Sequence, residues 1–233
     1  MQLSQLINRF RVEANDNVQP YFIEDDAAIN WLNDAVNEAC IRSRLLYESQ
    51  NNDVCKINIL IGSSRYQLHE SLYELSRVWF EPANGSCGTY LALMSPESLD
   101  RTYYENWKAL SGFPRFIIQD DTSVRLVPTP DVNGELQLEG YRVPLSPMQN
   151  DTDKPEINQI HHVHLIQWVL HKAFSVPDSE FFDQNRAAIA EQAFTDYFGV
   201  RPDSDLRRIT REDTPHHVQP FMPQVNYDRK VQD

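Results

Sequence analysis

The chain reads as an α+β protein, a helical bundle with a long antiparallel β insertion and an extended C-terminal arm. Three observations predict this. Between Asp25 and Glu48 the residues Ile29, Leu32, Val36, Ala39, Cys40, Leu46 and Tyr47 recur three and four apart, with Asn30, Asn33, Asp34, Asn37 and Glu38 between them, the period of a helix with one buried face. The next long helical pattern begins only after Pro155, and the stretch between is rich in period-two alternation. From Arg201 onward, Pro202, Pro215, Pro220 and Pro223 break every helical window and the apolar residues are too sparse for a core. The resulting segments are 1–52 and 149–200 for the two halves of the bundle, 53–148 for the insertion and 201–233 for the arm.

Taken in order, Leu3, Leu6, Ile7 and Phe10 mark a short first helix that Asn15-Asp16-Asn17 ends. The Asp25 to Glu48 helix follows, with Asp25 or Asp26 at its cap and a length of about 35 Å. Ile57, Ile59 and Ile61 alternate before the turn Gly62-Ser63-Ser64; Tyr66 to His69 and Leu72 to Trp79 are extended. Asn84-Gly85 is a hairpin signal, and Thr89 to Met94 a strand after it. Ser95-Pro96-Glu97 starts a short helix running to about Trp107. Arg115 to Gln119, Ser123 to Val127 and Glu135 to Arg142 then read as a three-stranded meander. Pro155-Glu156 opens a helix carrying Ile157, Ile160, Val163, Leu165, Ile166, Trp168, Val169, Leu170 and Phe174, apolar on more than one side. Val176-Pro177 breaks it. Asp178 or Ser179 caps the last helix, whose predicted face is Phe181, Phe182, Ala188, Ile189, Gln192, Ala193 and Phe198, with Gly199 as its stop. The arm cannot recover its ordering entropy alone, and its 33 residues reach about 100 Å if fully extended.

Charge constrains the partners. Against 34 Asp and Glu stand 21 Lys and Arg, a net charge of −13. All of it lies in residues 1–200, because residues 201–233 hold six of each sign. An acidic body disfavours tight phosphate contact, which rests on Lys and Arg displacing counterions. It is compatible with a surface that nucleic acid slides past. Cys40, Cys55 and Cys87 show no CxxC spacing and an odd count, which points to reduced, mostly buried thiols. No leader-like or membrane-spanning run is present, so a soluble protein is expected.

No catalytic constellation emerges, and neither a cofactor nor a metal is expected. His161, His162, His164 and His171 fall on one predicted helix, but no HExxH frame accompanies them, and packing or surface roles outweigh a metal site. Their relevance is to pH, through an unperturbed pKa near 6.5. The carboxylate pairs Asp25-Asp26, Asp120-Asp121 and Asp151/Asp153 sit at turns and helix starts, where Asp is favoured for backbone reasons. Asn150-Asp151-Thr152-Asp153 is similar to the start of a calcium loop, yet Lys154-Pro155 replaces its glycine-bearing continuation. Gly85-Ser86-Cys87-Gly88 is a loop, and Arg101, Tyr103 and Tyr104 form a solvated helix face rather than a base-stacking platform.

The order short helix, long helix, antiparallel insertion, two helices and Pro-rich tail resembles the head-to-tail adaptor (connector, or gatekeeper) proteins of tailed bacteriophages. Gly112 to Gln119, Val124 to Pro130 and Gly134 to Leu138 look like that family's β insert, and the helix with Trp168, Lys172-Ala173 and Phe174 like its main bundle helix. The resemblance implies a structural virion protein of the neck, made in the host bacterial cytoplasm and not an enzyme. It implies a homo-oligomeric ring, twelve copies in the usual case, beneath the portal protein and above a tail or nozzle protein. Genome DNA would pass through its channel without sequence-specific binding, and no membrane is involved. Residues 201–233 become the portal-docking arm, with Arg207, Arg208, Arg211, Phe221 and Tyr227 as its main contacts, since Arg and aromatic residues dominate interfaces. The competing classes are another phage tail or head-completion component, a monomeric interaction module, and a metal-dependent enzyme using the histidines.

Overall fold

The computed structural model describes residues 1–177 and 182–202, without the side chains of residues 102–105. It is α+β. Helices α1 (Leu3–Ala14) and α2 (Asp25–Ser43) open the chain, and α5 (Leu165–Phe174) and α6 (Gln184–Phe198) are the last helices among the described residues. Between them run β1 (Leu46–Glu48), the single turn α3 (Asn52–Cys55), β2 (Lys56–Ile59), β3 (Arg65–Gln67), β4 (Leu72–Pro82), β5 (Thr89–Tyr90), β6 (Ala92–Leu93) and α4 (Pro96–Tyr103). There follow β7 (Ser111–Gly112), β8 (Phe116–Gln119), β9 (Ser123–Val127), β10 (Thr129–Pro130) and β11 (Gly134–Arg142).

The bundle buries Leu3, Leu6 and Phe10 of α1, Leu32, Ala35 and Ala39 of α2, Leu165, Val169 and Ala173 of α5, and Ala187, Ala190, Phe194 and Phe198 of α6 in one apolar cluster. Helix α5 packs on α6, α2 and α1 alike, which is why its sequence is apolar on several sides. The α1–α2 connection is held by Arg11, 4% exposed, against Asp16, 1% exposed, at 2.8 Å. Arg11 also donates to the Ile23 carbonyl at 3.0 Å and pairs with Asp25. The Asp16 carboxylate in turn accepts the amides of Phe22 and Ile23, so this buried pair is fully satisfied. Asp25 is therefore an ion-pair partner and not the cap of α2; the capping position is Glu24, which makes no side-chain cap bond.

A second apolar cluster lies between two sheets. In the first, β11 is central: β4 pairs along one edge, β1 and β2 share the other, and β5 extends β4. The second has the order β3-β9-β8-β6. Val78, Phe80, Leu136 and Leu138 from the first meet Ile117, Val124 and Leu126 from the second. Gln119 ties the sheets together by accepting the Leu75 amide at 3.0 Å and donating to the Tyr73 carbonyl at 3.1 Å, taking the place of a neighbouring strand along β4. At Gly140, opposite a bulge in β4, an added Cβ would lie 2.4 Å from the Glu74 carbonyl, so only glycine allows that approach.

Several expectations are corrected. Helix α2 ends at Ser43, with Arg44 in the left-handed region, and Leu46–Glu48 pair with β11 as a strand. Leu46 and Tyr47 keep helical spacing by coincidence; a β partner wins them. β8 and β9 form an antiparallel pair, but β11 joins the other sheet, so the meander is absent. Alternation marks a strand without naming its neighbour. Thr89 to Met94 is two short strands in different sheets, and β6–β8 and β7–β10 pair in parallel. α4 gives way at Tyr104 to a 3₁₀ segment that runs to Ala109. The helix after the linker opens not at Pro155 but at Asn158, whose side chain accepts the Ile160 amide, with a 3₁₀ stretch Gln159–His164 before α5. On α6 the buried face is Ala187, Ala190, Phe194 and Phe198, while Phe182 and Ile189 are exposed. Asp183 caps it through the Asn185 and Arg186 amides. Asp178, Ser179 and Phe181 lie outside the described residues.

Candidate interaction surfaces

Bundle and sheets meet around Arg142 at the end of β11. Its Nε donates to Glu48 of β1 at 3.0 Å, and its Nη2 donates to Glu156 beyond the linker. Burial alone would raise the Glu48 carboxyl, but the Gln50 and Asn51 amides and the Arg142 guanidinium outweigh it and hold it below the ordinary value. The Arg142 hydrogen bond lowers Glu156 likewise. Nearby, the Tyr73 hydroxyl donates to the Cys40 carbonyl of α2 at 2.8 Å, and Arg44 pairs with Glu74 at 2.7 Å. A cleft of about 690 Å³ opens beside this junction, between Asn33, Val36 and Asn37 of α2 and the linker from Val143 to Met148. Asn33 bonds both the amide and the carbonyl of Met148, fixing the linker on α2.

The root of the arm is also anchored on α2. Ser43 Oγ donates to the Phe198 carbonyl at 2.6 Å, and Arg42 reaches Thr195 and the Gly199 carbonyl. Arg201 lies 3.8 Å from Glu38. The five arm residues that the sequence nominates as contacts, Arg207, Arg208, Arg211, Phe221 and Tyr227, lie outside the described residues. So do the side chains of Tyr103 and Tyr104.

His161, His162, His164 and His171 each pack against their own partner. His162 is buried, its Nδ1 accepting from the Met1 amino group at 2.7 Å and its Nε2 donating to the Ile157 carbonyl at 3.1 Å. His164 stacks on Tyr197 with ring centroids 3.5 Å apart, and His161 Nδ1 meets the Tyr197 hydroxyl. His171 bonds the Ala187 carbonyl. Burial lowers the pKa of His162 and of His164, the latter helped by His161 and Arg9. Among the described residues no group of three or more His, Cys, Asp or Glu is placed to hold a metal ion, and no helix is long and apolar enough to cross a membrane.

One surface had no counterpart in the sequence reading. On the side of the first sheet turned away from the core, Tyr47 and Tyr141 meet edge-on at 5.3 Å and Trp79 and Tyr90 at 4.8 Å. Glu139 accepts from Tyr47 at 2.6 Å and Glu81 from Trp79 at 2.7 Å. The available signal was the alternation of Glu135, Gln137, Glu139 and Tyr141 with Leu136 and Leu138, which marks a one-sided strand.

The described residues thus form a helical bundle interrupted by a two-sheet insertion, with the tail leaving from α6, and the family match identifies this as a protein of the phage head-to-tail adaptor class. The chain matches the family described as SU10 adaptor protein over residues 1–219, and it belongs to that family. No curated protein matches it. The family is a structural one of the virion rather than a family of enzymes.

Proposed function

We propose that the chain forms a homo-oligomeric ring, of twelve copies, beneath the portal protein, continues the DNA channel toward the tail, and docks on the portal through residues 201–233. The observation that carries this is the extent of the family match, which runs through both halves of the bundle and the insertion and into the arm as far as residue 219. The bundle, from residues 1–52 and 149–200, makes the ring wall; residues 53–148 face neighbouring subunits and a tail or nozzle protein. The net charge of −13 suits a channel that DNA traverses without sequence-specific binding, because carboxylates repel phosphate within a Debye length of about 8 Å. Catalysis has no part in this role. Arg207, Arg208, Arg211, Phe221 and Tyr227 supply most of the portal contact, in a protein made in the host bacterial cytoplasm and carried in the virion neck.

Negative-stain imaging of the protein mixed with the portal from the same source tests this. A ring stacked coaxially on the portal, lost when residues 201–233 are removed, is the expected result. The truncated protein should stay folded, since among the described residues the bundle cluster ends at Phe198. Single particles that ignore the portal, or a truncation that unfolds the body, would overturn the assignment.

A further inference from the structure

We propose that the outer face of the first sheet holds the chain's own Pro-rich segment, residues 214–227, until a partner takes up the arm; this deepens the arm's role given above and rests on it. The face has the composition of a protein-binding site. Tyr47, Tyr141, Trp79 and Tyr90 form two edge-on pairs, and Tyr and Trp are the residue types that dominate interface energetics. Tyr47 and Tyr90 are 47% and 45% exposed, and none of the four aromatic residues belongs to the apolar clusters of the described residues. Their side chains are already oriented, Tyr47 by Glu139 and Trp79 by Glu81, so little rotamer entropy is lost on binding. Glu81, Glu135 and Glu139 stand on the same face beside Arg77 and Lys56, which disfavours nucleic acid and favours a peptide.

Three properties of the chain select its own arm as the occupant. The first is position. Ser43 bonds the Phe198 carbonyl, and the next residue, Arg44, lies over the Tyr141 ring at 5.6 Å, so the arm starts beside this face. The second is reach and spacing. In a polyproline conformation of about 3.1 Å per residue, Pro215 lies at most about 40 Å from Pro202. Tyr141 and Gln137, the partner of Trp79, are four residues apart on β11, which separates the two aromatic pairs by about 13 Å. Pro215 to Pro220 spans about 16 Å and Pro220 to Pro223 about 9 Å, bracketing that distance. The third is chemistry. Residues 214–227 contain Pro215, Pro220, Phe221 and Pro223 and no carboxylate; Asp213 and Asp228 stand directly beside them, with Arg211 and Arg229 further out. Aromatic surfaces with acidic neighbours bind such segments because the extended Pro-rich backbone loses little entropy on docking.

The test uses the full chain carrying a photo-reactive phenylalanine analogue at position 221, irradiated in dilute solution and mapped by mass spectrometry. Cross-links within one chain to the peptides of Tyr47, Trp79, Tyr90 or Tyr141, with a yield unchanged on dilution, are expected. The pair Tyr47→Ala/Tyr90→Ala should lower that yield about tenfold. Pro220→Ala/Pro223→Ala should do the same, and it alters none of the described residues. Cross-links that join two copies, fall on another surface or survive both variant pairs would overturn the proposal. The readout needs no portal: a chain that holds its arm but ignores the portal refutes only the adaptor docking, and a ring on the portal without these cross-links refutes only the docking of the arm on the sheet.

Discussion

The bundle draws its buried residues from two stretches, Leu3 to Cys40 and Met148 to Phe198, whereas the core between the sheets runs from Val54 to Leu138 without leaving that segment. Closing a loop of about a hundred residues costs roughly 4 kcal/mol of chain entropy before the bundle gains a contact. Once the sheets are formed, β1 and β11 lie side by side, and the ends of the two helical halves are already close. The bundle therefore depends on the sheets more than the sheets depend on the bundle. Arg142, bonded to Glu48 before the insertion and Glu156 after it, is the clasp between them.

The largest effects test that asymmetry directly. Phe10→Ala in the bundle and Phe80→Ala between the sheets each remove a fully buried ring and should each cost about 3–5 kcal/mol. Two thiols report where the loss is felt. Burial pushes Cys40, in the bundle, up to about 12 and Cys55, in the sheet core, up to about 11, so neither reacts until its region opens. Phe10→Ala should speed labelling of Cys40 well ahead of Cys55, and Phe80→Ala should speed both; equal acceleration in the two variants would remove the asymmetry. Exposed Cys87 is the internal standard.

Next in size is Arg142→Ala, which leaves the Glu48 and Glu156 carboxylates without their cation. A loss of about 3 kcal/mol is expected. Helical ellipticity and the accessibility of Cys55 to labelling should then lose their common urea midpoint; a single shared midpoint would show that Arg142 is not the clasp. Smaller again is Asp183→Ala, which removes the cap of α6 for about 1 kcal/mol and should leave the labelling of Cys55 unchanged.

Acid gives the finest discrimination. His162 and His164 have lowered pKa values in the folded bundle, so the unfolded chain binds their protons first as the pH falls below 6.5. Their contribution is complete above 6.5 and is lost as the pH drops through their folded values. Glu48 and Glu156, also lowered, add a second loss below 4.5. His162→Gln should flatten the first decline and Glu156→Gln the second, as read from urea midpoints between pH 7 and about 3. A profile that ignores both substitutions would mean that neither group is linked to folding.

Several elements were legible in the order of residues. Leu3, Leu6, Ile7 and Phe10 gave α1, Asn84-Gly85 the turn before β5, with Gly85 at φ +78°, and Gly199 the end of α6. The face of α6 was not legible, because Ile189 and Ala193 keep helical spacing as well as Ala190 and Phe194 do. Packing chose between the two stripes, since Trp168 of α5 offers a ring 5.0 Å from Phe194. The aromatic face was hidden for a related reason: Tyr47, Trp79, Tyr90 and Tyr141 belong to four strands whose alternation says nothing of their neighbours. The Pro-rich composition of residues 201–233, by contrast, is a local property, because prolines act on the backbone where they stand.

What the sequence determined by itself is therefore what short-range chemistry controls: the α+β class, the existence of the helices, the long separation of the two bundle halves, and the Pro-rich composition of residues 201–233. Only the tertiary structure decided which strand lies beside β11, which stripe of α6 is buried, and that Arg142, Glu48 and Glu156 meet. The reason is physical. Propensity, capping and periodicity act over a few residues, whereas pairing and burial depend on which distant surface is available, and several surfaces of one chain satisfy the same local rule.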